Sequence, residues 1–386
     1  MRVAASIPRF AARRAAASAA LVAVLAVAGC ASSPEDLSER DQLNLTLKAR
    51  GLDPETVIVP YELTPEMIAW VHDTVAENQS PESKLRRLSE RLLDDDALSV
   101  EYVWGYTGTA VEVFEQHRAN CLSFTNLFVG MARELGVPVF FLEIEDVETY
   151  RKEGDLVVVS DHIAVGYETG PDALILDFSE EGLKESDGAH PISDLTAIAM
   201  YYTNRGAEAL QTAEISESLD WLRTAVLLDP YLAHAWVNLG VGLRRSGDPQ
   251  GAEDAYRKAL EIDARTPSAY QNLAALLSME ERVDEAREYE LALQRSPSRN
   301  PYTYLSLGDI SRRNGRLAEA QRLYRRAIAL GCEVAECYAA FGQLALAEGK
   351  VRTARRMLEK ARKIDPENPR TQQLAAQLRS DLGRKP

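Results

Sequence analysis

Hydrophobic positions along this chain change their spacing several times, and each change marks a different kind of element. Within residues 1–30, Arg2, Arg9, Arg13 and Arg14 precede the apolar run AAASAALVAVLAVAGC, which is laid out like a secretory leader and is too short for a spanning helix. Residues 31–61 are rich in Ser, Asp, Glu, Pro and Leu without a sustained period, which predicts a tether. A folded domain is expected over 62–198. Its first helix is LTPEMIAWVHDTVAENQ, with Thr64 as N-cap and Pro65 at the first helical position, and SPESKLRRLSERLLDDD reads as a second. A further helix starts after Asn120, where Leu127, Phe128, Met131 and Leu135 recur on one face and Gly136 is a natural stop. Three strand-like runs follow, PVFFLEIED, DLVVVSDHIAVGYE and DALILDFSE, each rich in β-branched or aromatic residues and bounded by turn formers.

From residue 199 the pattern becomes self-similar with a step of 34 residues. Trp236, Tyr270, Tyr304 and Tyr338 obey it; so do Gly240, Ala274, Gly308 and Gly342, and again Ala252, Ala286, Ala320 and Ala354. Small residues let paired helices approach, and a bulky residue one turn away fills the remaining space. One step back lands on Tyr202, Gly206, Ala225 and Pro230, so a degenerate first unit occupies 199–232. In the third unit Glu290 and Leu293 stand where an aromatic and a small residue are expected, with Tyr289 and Ala292 each one place early, which predicts a slightly offset helix. The series resembles the tetratricopeptide repeat. The resemblance implies an all-α solenoid of five repeats over 199–368, closed by a polar-faced capping helix over 369–386. Such a solenoid usually offers a groove to a peptide or another protein; simple support of the neighbouring domain is the alternative.

The formal net charge is −15, and without the leader arginines 40 basic side chains face 59 acidic ones. A nucleic-acid partner is not expected, because phosphate binding needs concentrated positive charge. VAGC at residues 27–30 resembles the lipobox of bacterial lipoproteins. That implies lipid attachment at Cys30, and Ala31 after it lacks the aspartate that signals inner-membrane retention, so the expected location is the periplasmic face of an outer membrane. Of the remaining cysteines, Cys332 and Cys337 could pair only if a turn separates them, since five residues along one helix is poor geometry. Cys121 would then be a free thiol.

Cys121 falls in the first turn of its helix, where free amides and the helix dipole favour a thiolate; a merely space-filling cysteine gains nothing there. Strand alternation puts His162, Ala164 and Gly166 on one face and Ile163 and Val165 on the other. Asp177 interrupts the apolar run LILDF, an expensive place for a carboxylate unless something pairs with it. If these two strands are antiparallel neighbours, Asp177 can take one ring nitrogen of His162 and leave the other for Cys121. The order Cys, His, Asp, with separations of 41 and 15 residues, in RANCLSFTNLFVGMARELGVPV, DHIAVGY and LILDF, resembles the transglutaminase-like superfamily. The resemblance covers roughly 100–180 and implies an α+β, papain-like domain in which Cys121 is nucleophile, His162 base and then acid, and Asp177 the group that orients the imidazole. Ala119 replaces a frequent glycine, and the aromatic residue often found after the histidine is missing from HIAVGY. For the oxyanion, the Cys121 amide is expected from helix geometry and Gln116 is the side-chain candidate, with Tyr106 and Thr107 as alternatives.

His72, His117, His190 and His234 lack metal-ligand spacing, and there is no P-loop, dinucleotide fingerprint or zincin motif, so neither metal nor cofactor is expected. Two functions remain: a lipid-anchored cysteine acyl-transfer enzyme, either hydrolase or transferase, whose repeats bind protein, and an inactive envelope scaffold that docks a partner through the repeats.

Overall fold

A computed structural model describes residues 2–3, 7–8, 38–94, 96–153, 156–169, 172–178, 188–295, 301–332 and 334–383. The expected leader and Cys30 lie outside the described residues, apart from the extended dipeptides Arg2–Val3 and Ile7–Pro8. Two compact units emerge, one comprising residues 1–149, 160–208 and 220–230 and the other 150–159, 209–219 and 231–386.

The first unit opens with α1 (Glu39–Ala49), capped by Ser38. The tether expected over 31–61 is therefore corrected from this helix onward. Leu47, Val57 and Val59 are buried, and the Ile58 amide donates to the Tyr202 hydroxyl at 2.8 Å. The leucines of α1, Leu43, Leu45 and Leu47, are spaced by two rather than by three or four, and only Leu47 is buried, so the sequence carries no helical period. Helices α2 (Pro65–Thr74) and α3 (Pro81–Leu93) start as the sequence predicts, each with a hydroxyl N-cap and a proline in its first turn. Leu85, Leu88 and Leu92 form the buried stripe of α3.

A two-residue parallel ladder, β1 (Glu101–Tyr102) with β2 (Arg118–Ala119), brackets α4 (Ala110–Gln116) and delivers the chain to Asn120. Helix α5 (Cys121–Glu134) then runs through the core; Leu127, Phe128, Val129, Met131 and Ala132 are buried, and it packs on α2, α3 and α4. At Gly130 an added Cβ would collide with the backbone carbonyl oxygen of Tyr61 and lie 3.0 Å from a Leu63 methyl. Gly130→Ala is expected to lower stability by about 2 kcal/mol, because overpacking against backbone outweighs the roughly 1 kcal/mol gain in helix propensity. A shift of the urea midpoint at constant slope checks this.

After α5 come β3 (Phe140–Glu153), β4 (Leu156–Thr169), β5 (Asp172–Asp177) and β6 (Ala189–Ile192), in the spatial order β5–β4–β3–β6, with the two N-terminal dipeptides against β5. Strand β6 is an edge strand whose sequence, AHPI, contains a proline and does not alternate, so the chain pattern does not announce it. Leu142, Ile144, Ala164, Ile175 and Ala189 form a cluster drawn from all four strands.

Among the described residues five helix pairs follow: α6 (Asp194–Gln211) with α7 (Ile215–Leu228), α8 (Ala233–Arg245) with α9 (Pro249–Ile262), α10 (Pro267–Met279) with α11 (Val283–Arg295), α12 (Pro301–Arg313) with α13 (Leu317–Ala329), and α14 (Ala335–Ala347) with α15 (Val351–Ile364). Helix α16 (Pro369–Gly383) packs on α14 and α15. Any side chain at Gly240 would strike the Tyr256 ring, and one at Gly308 the Tyr324 ring, which explains the repeated glycine. Ala274, at the same repeat position, faces a helix in which Glu290 replaces that tyrosine. The offset expected for α11 does not occur: Glu290 and Leu293 themselves point inward, at 0% and 2% exposure. What permits this is charge pairing, since the Arg287 guanidinium donates to Glu290 at 2.8 Å and Arg316, at the N-cap of α13, donates to the same carboxylate. Cys332 sits in the turn after α13 and Cys337 in the first turn of α14; with the turn between them they are bridged.

Candidate active site

Strands β4 and β5 are antiparallel neighbours with Val165 opposite Leu176, so Asp177 falls opposite Ala164 and diagonal to His162 on one face of the sheet. From there His162 Nε2 donates to Asp177 Oδ1 at 2.6 Å. Cys121 makes a hydrogen bond with the same imidazole, and with Nε2 occupied, Nδ1 is the ring atom left for the sulfur. Phe178, immediately after Asp177, stacks on Phe124 and Phe128 of α5 at centroid distances of 4.2 and 5.2 Å, which ties the strand carrying the acid to the helix carrying the thiol. All three side chains are buried, Cys121 at 7%, His162 at 5% and Asp177 at 3% exposure, and Cys121 is a free thiol.

Electrostatics at the imidazole follow from this packing. Burial presses the ring toward its neutral form. The hydrogen bonds with Asp177 and Cys121, together with the electrostatic pull of the same two groups, outweigh that effect and push His162 up to about 10. The ring is thus held as imidazolium through neutral pH, the form able to give a proton to a leaving group.

The turn before Cys121 is fixed by side chains from the 106–108 loop. Asn120 Oδ1 accepts from the Ser123 amide and hydroxyl, both at 2.8 Å, and Asn120 Nδ2 donates to Thr107 Oγ1 at 2.8 Å. The Ser123 hydroxyl in turn accepts from the Gly108 amide at 2.9 Å, and the Asn120 amide donates to the Tyr106 carbonyl at 3.3 Å. These bonds aim the Cys121 amide and its neighbours at the start of α5, the place where an oxyanion would be held. Gln116 is exposed at the end of α4 and is followed by a left-handed turn at His117; the groups that touch the capping turn are Tyr106, Thr107, Gly108 and Ser123.

Arg205 and Glu208 of α6 also reach this loop, and the sequence pattern does not reveal them, because they read as the polar face of a degenerate repeat helix. Arg205 Nη1 donates to the Thr107 carbonyl at 3.3 Å, and the Glu208 carboxylate accepts from the Thr107 hydroxyl and amide. Burial pushes the Glu208 carboxyl up to about 7. The Thr107 hydroxyl, Arg205 and the Thr107 amide counter it, while Glu112 adds repulsion. The one available signal was the charged pair itself, three residues apart beside Gly206 in NRGAEA.

Comparison with known proteins identifies the pieces. Residues 68–142 match the transglutaminase-like superfamily, and residues 233–265 and 311–378 match the tetratricopeptide repeat. The chain carries a transglutaminase-like core domain and tetratricopeptide repeats. The transglutaminase-like match includes Cys121 and ends ahead of His162 and Asp177. Among curated relatives, the PsbB mRNA maturation factor Mbb1 of Chlamydomonas reinhardtii is 34% identical over 80 residues, 20% of this chain and 12% of its own length. The type IV pilus assembly protein PilF of Pseudomonas aeruginosa is 28% identical over 134 residues, 33% of this chain and 52% of its own. This chain therefore spans about an eighth and about half of those two proteins. The solved structure of PilF aligns with 48% of this chain and 84% of its own at 23% identity and a TM-score of 0.42.

Proposed function

We propose that this protein is a cysteine-dependent acyl-transfer enzyme of the cell envelope, in which Cys121, His162 and Asp177 act on an amide or ester carbonyl. The observation that carries the reading is the buried imidazole bonded to Asp177 at 2.6 Å on one side and to the Cys121 thiol on the other. In the proposed cycle the Cys121 sulfur attacks the carbonyl carbon, and the developing oxyanion is held by the Cys121 amide, with Gln116 the side-chain candidate. His162 gives its proton to the departing amine or alcohol, leaving a thioester on Cys121. Water, or an amine, then attacks the thioester as His162 takes its proton, and the acyl group leaves as an acid or a new amide. Hydrolysis is the favoured outcome, because water is far more concentrated than any competing amine.

The repeat array is a protein- or peptide-binding region, and we assign it the delivery of a macromolecular substrate. Among the described residues no helix is long and apolar enough to cross a membrane; attachment is proposed through lipid on Cys30 at the periplasmic face of an outer membrane. The Cys332–Cys337 bridge supports an oxidising compartment. The scaffold reading draws on one observation, the 7% exposure of the thiol.

Brief incubation of the wild-type protein with an envelope extract or an activated acyl ester, quenched in acid and followed by peptide mapping, tests the chemistry. A mass adduct on Cys121 that hydroxylamine removes, and that His162→Ala fails to form, is expected; its absence from wild type supports the scaffold. Removing residues 233–386 leaves α6 and α7 in place, and should abolish turnover of the natural protein substrate while sparing reaction with a small thiol probe.

A further inference from the structure

We infer that Glu208 and Arg205 of α6 are positioning residues for the nucleophile: they grip Thr107 so that Asn120 can present only its amide oxygen to the helix that begins at Cys121. The inference rests on the acyl-transfer reading of Cys121.

An asparagine amide has two nearly isosteric ends, and which end faces the helix decides whether it caps. Asn120 faces Ser123 with Oδ1 and Thr107 with Nδ2. The reverse orientation would set an NH2 group against the Ser123 amide and lose the cap. The Ser123 amide, which can only donate, opposes reversal from one side, and the state of the Thr107 hydroxyl, which has one proton to give, opposes it from the other. While Glu208 accepts that proton, Thr107 Oγ1 offers only lone pairs to Asn120, and only Nδ2 can answer. The Thr107 peptide is clamped by the same helix, its amide on Glu208 and its carbonyl on Arg205 at 3.3 Å, from residues one turn apart on α6. The Arg205 guanidinium itself lies over the Trp221 ring, 5.2 Å from its centroid. The titratable and charged groups facing Glu208 are Arg205 on its own helix at 3.9 Å, Glu112 of α4, and the hydroxyls of Thr107, Tyr106 and Tyr201.

A protonated Glu208 becomes a donor toward Thr107, frees the Thr107 proton to turn to Asn120, and removes the constraint on the amide. With its carboxyl near 7, Glu208 makes this change within the neutral range. The start of α5 is therefore fully ordered above that pH and loosened below it. A nucleophile displaced by a fraction of an ångström loses about tenfold in rate or more.

The test measures iodoacetamide alkylation of Cys121 by peptide mapping from pH 5.5 to 8.5, in the full chain with Cys332–Cys337 oxidised, for wild type, Glu208→Gln, Thr107→Val and the double variant. Thermal melts at each pH show that every variant is folded. The ratio of wild-type to Glu208→Gln rates is expected to rise about tenfold between pH 6 and pH 8, with Thr107→Val giving the same ratio and the double variant no more than either single change. A ratio flat across pH, or additive losses in the double variant, overturns the inference. His162→Ala in the same assay separates the two claims: if it alkylates as fast as wild type the acyl-transfer reading fails, whereas a slowed His162→Ala beside a flat Glu208→Gln ratio removes only the positioning role.

Discussion

Replacing His162 by alanine is expected to reduce turnover of an acyl substrate by about 100- to 10 000-fold and to slow alkylation of Cys121 at pH 7 by at least about tenfold. The first effect follows from losing both proton transfers, to the leaving group and from the attacking water. The second follows from losing the imidazolium that the structure holds against the sulfur, with its ring pushed up to about 10. Neither depends on knowing the natural substrate. Iodoacetamide kinetics followed by mass spectrometry give the second directly, and Cys121→Ala supplies the blank. Alkylation rates equal in wild type and variant would show that sulfur and ring are not coupled, and the domain would then be a docking module.

Asp177→Asn should be the most destabilising single change at the site, by about 3 kcal/mol at pH 6, because breaking a buried pair strands the remaining charge. Both partners are nearly inaccessible, at 5% and 2% side-chain exposure, so water cannot replace the lost bond. Its pH dependence has a definite sign. His162 binds its proton more tightly in the folded chain, about 10, than in the unfolded one, near 6.5. Stabilisation from the charged ring is thus complete below about pH 6.5 and is lost as pH rises through about 10. The gap between wild type and Asp177→Asn should be widest near pH 6 and narrow steadily toward pH 10. Urea midpoints across this range measure it; a gap that does not change with pH would mean that the carboxylate acts as a neutral acceptor only.

Much of this site could be read from the chain because its geometry is carried by regular elements. Asn120 and Cys121 lie at the start of a long apolar helix, and alternation along DHIAVGY and LILDF fixes which residues share a face once the strands are neighbours. What stayed hidden lacks a period. Helix α1 buries little more than Leu47, and β6 is four residues with a proline. Glu208 and Arg205 look like solvated charges until the fold brings Thr107 to them, 98 residues from Arg205 along the chain. The third repeat misled for a different reason: Glu290 has no apolar character, and reading a carboxylate as inward-facing requires knowing that Arg287 and Arg316 await it.

That acid has a consequence for assembly of the array. Helices built on one recurring pattern can mate with the wrong copy, since a tyrosine-filled groove accepts neighbours from any repeat. Glu290 breaks the equivalence. Docked beside a helix without an arginine in the place of Arg316, it would keep Arg287 of its own helix and lose the partner from across the seam, so the mismatch is penalised where the correct neighbour is merely tolerated. A carboxylate buried to 0% exposure thereby marks the third repeat against the rest.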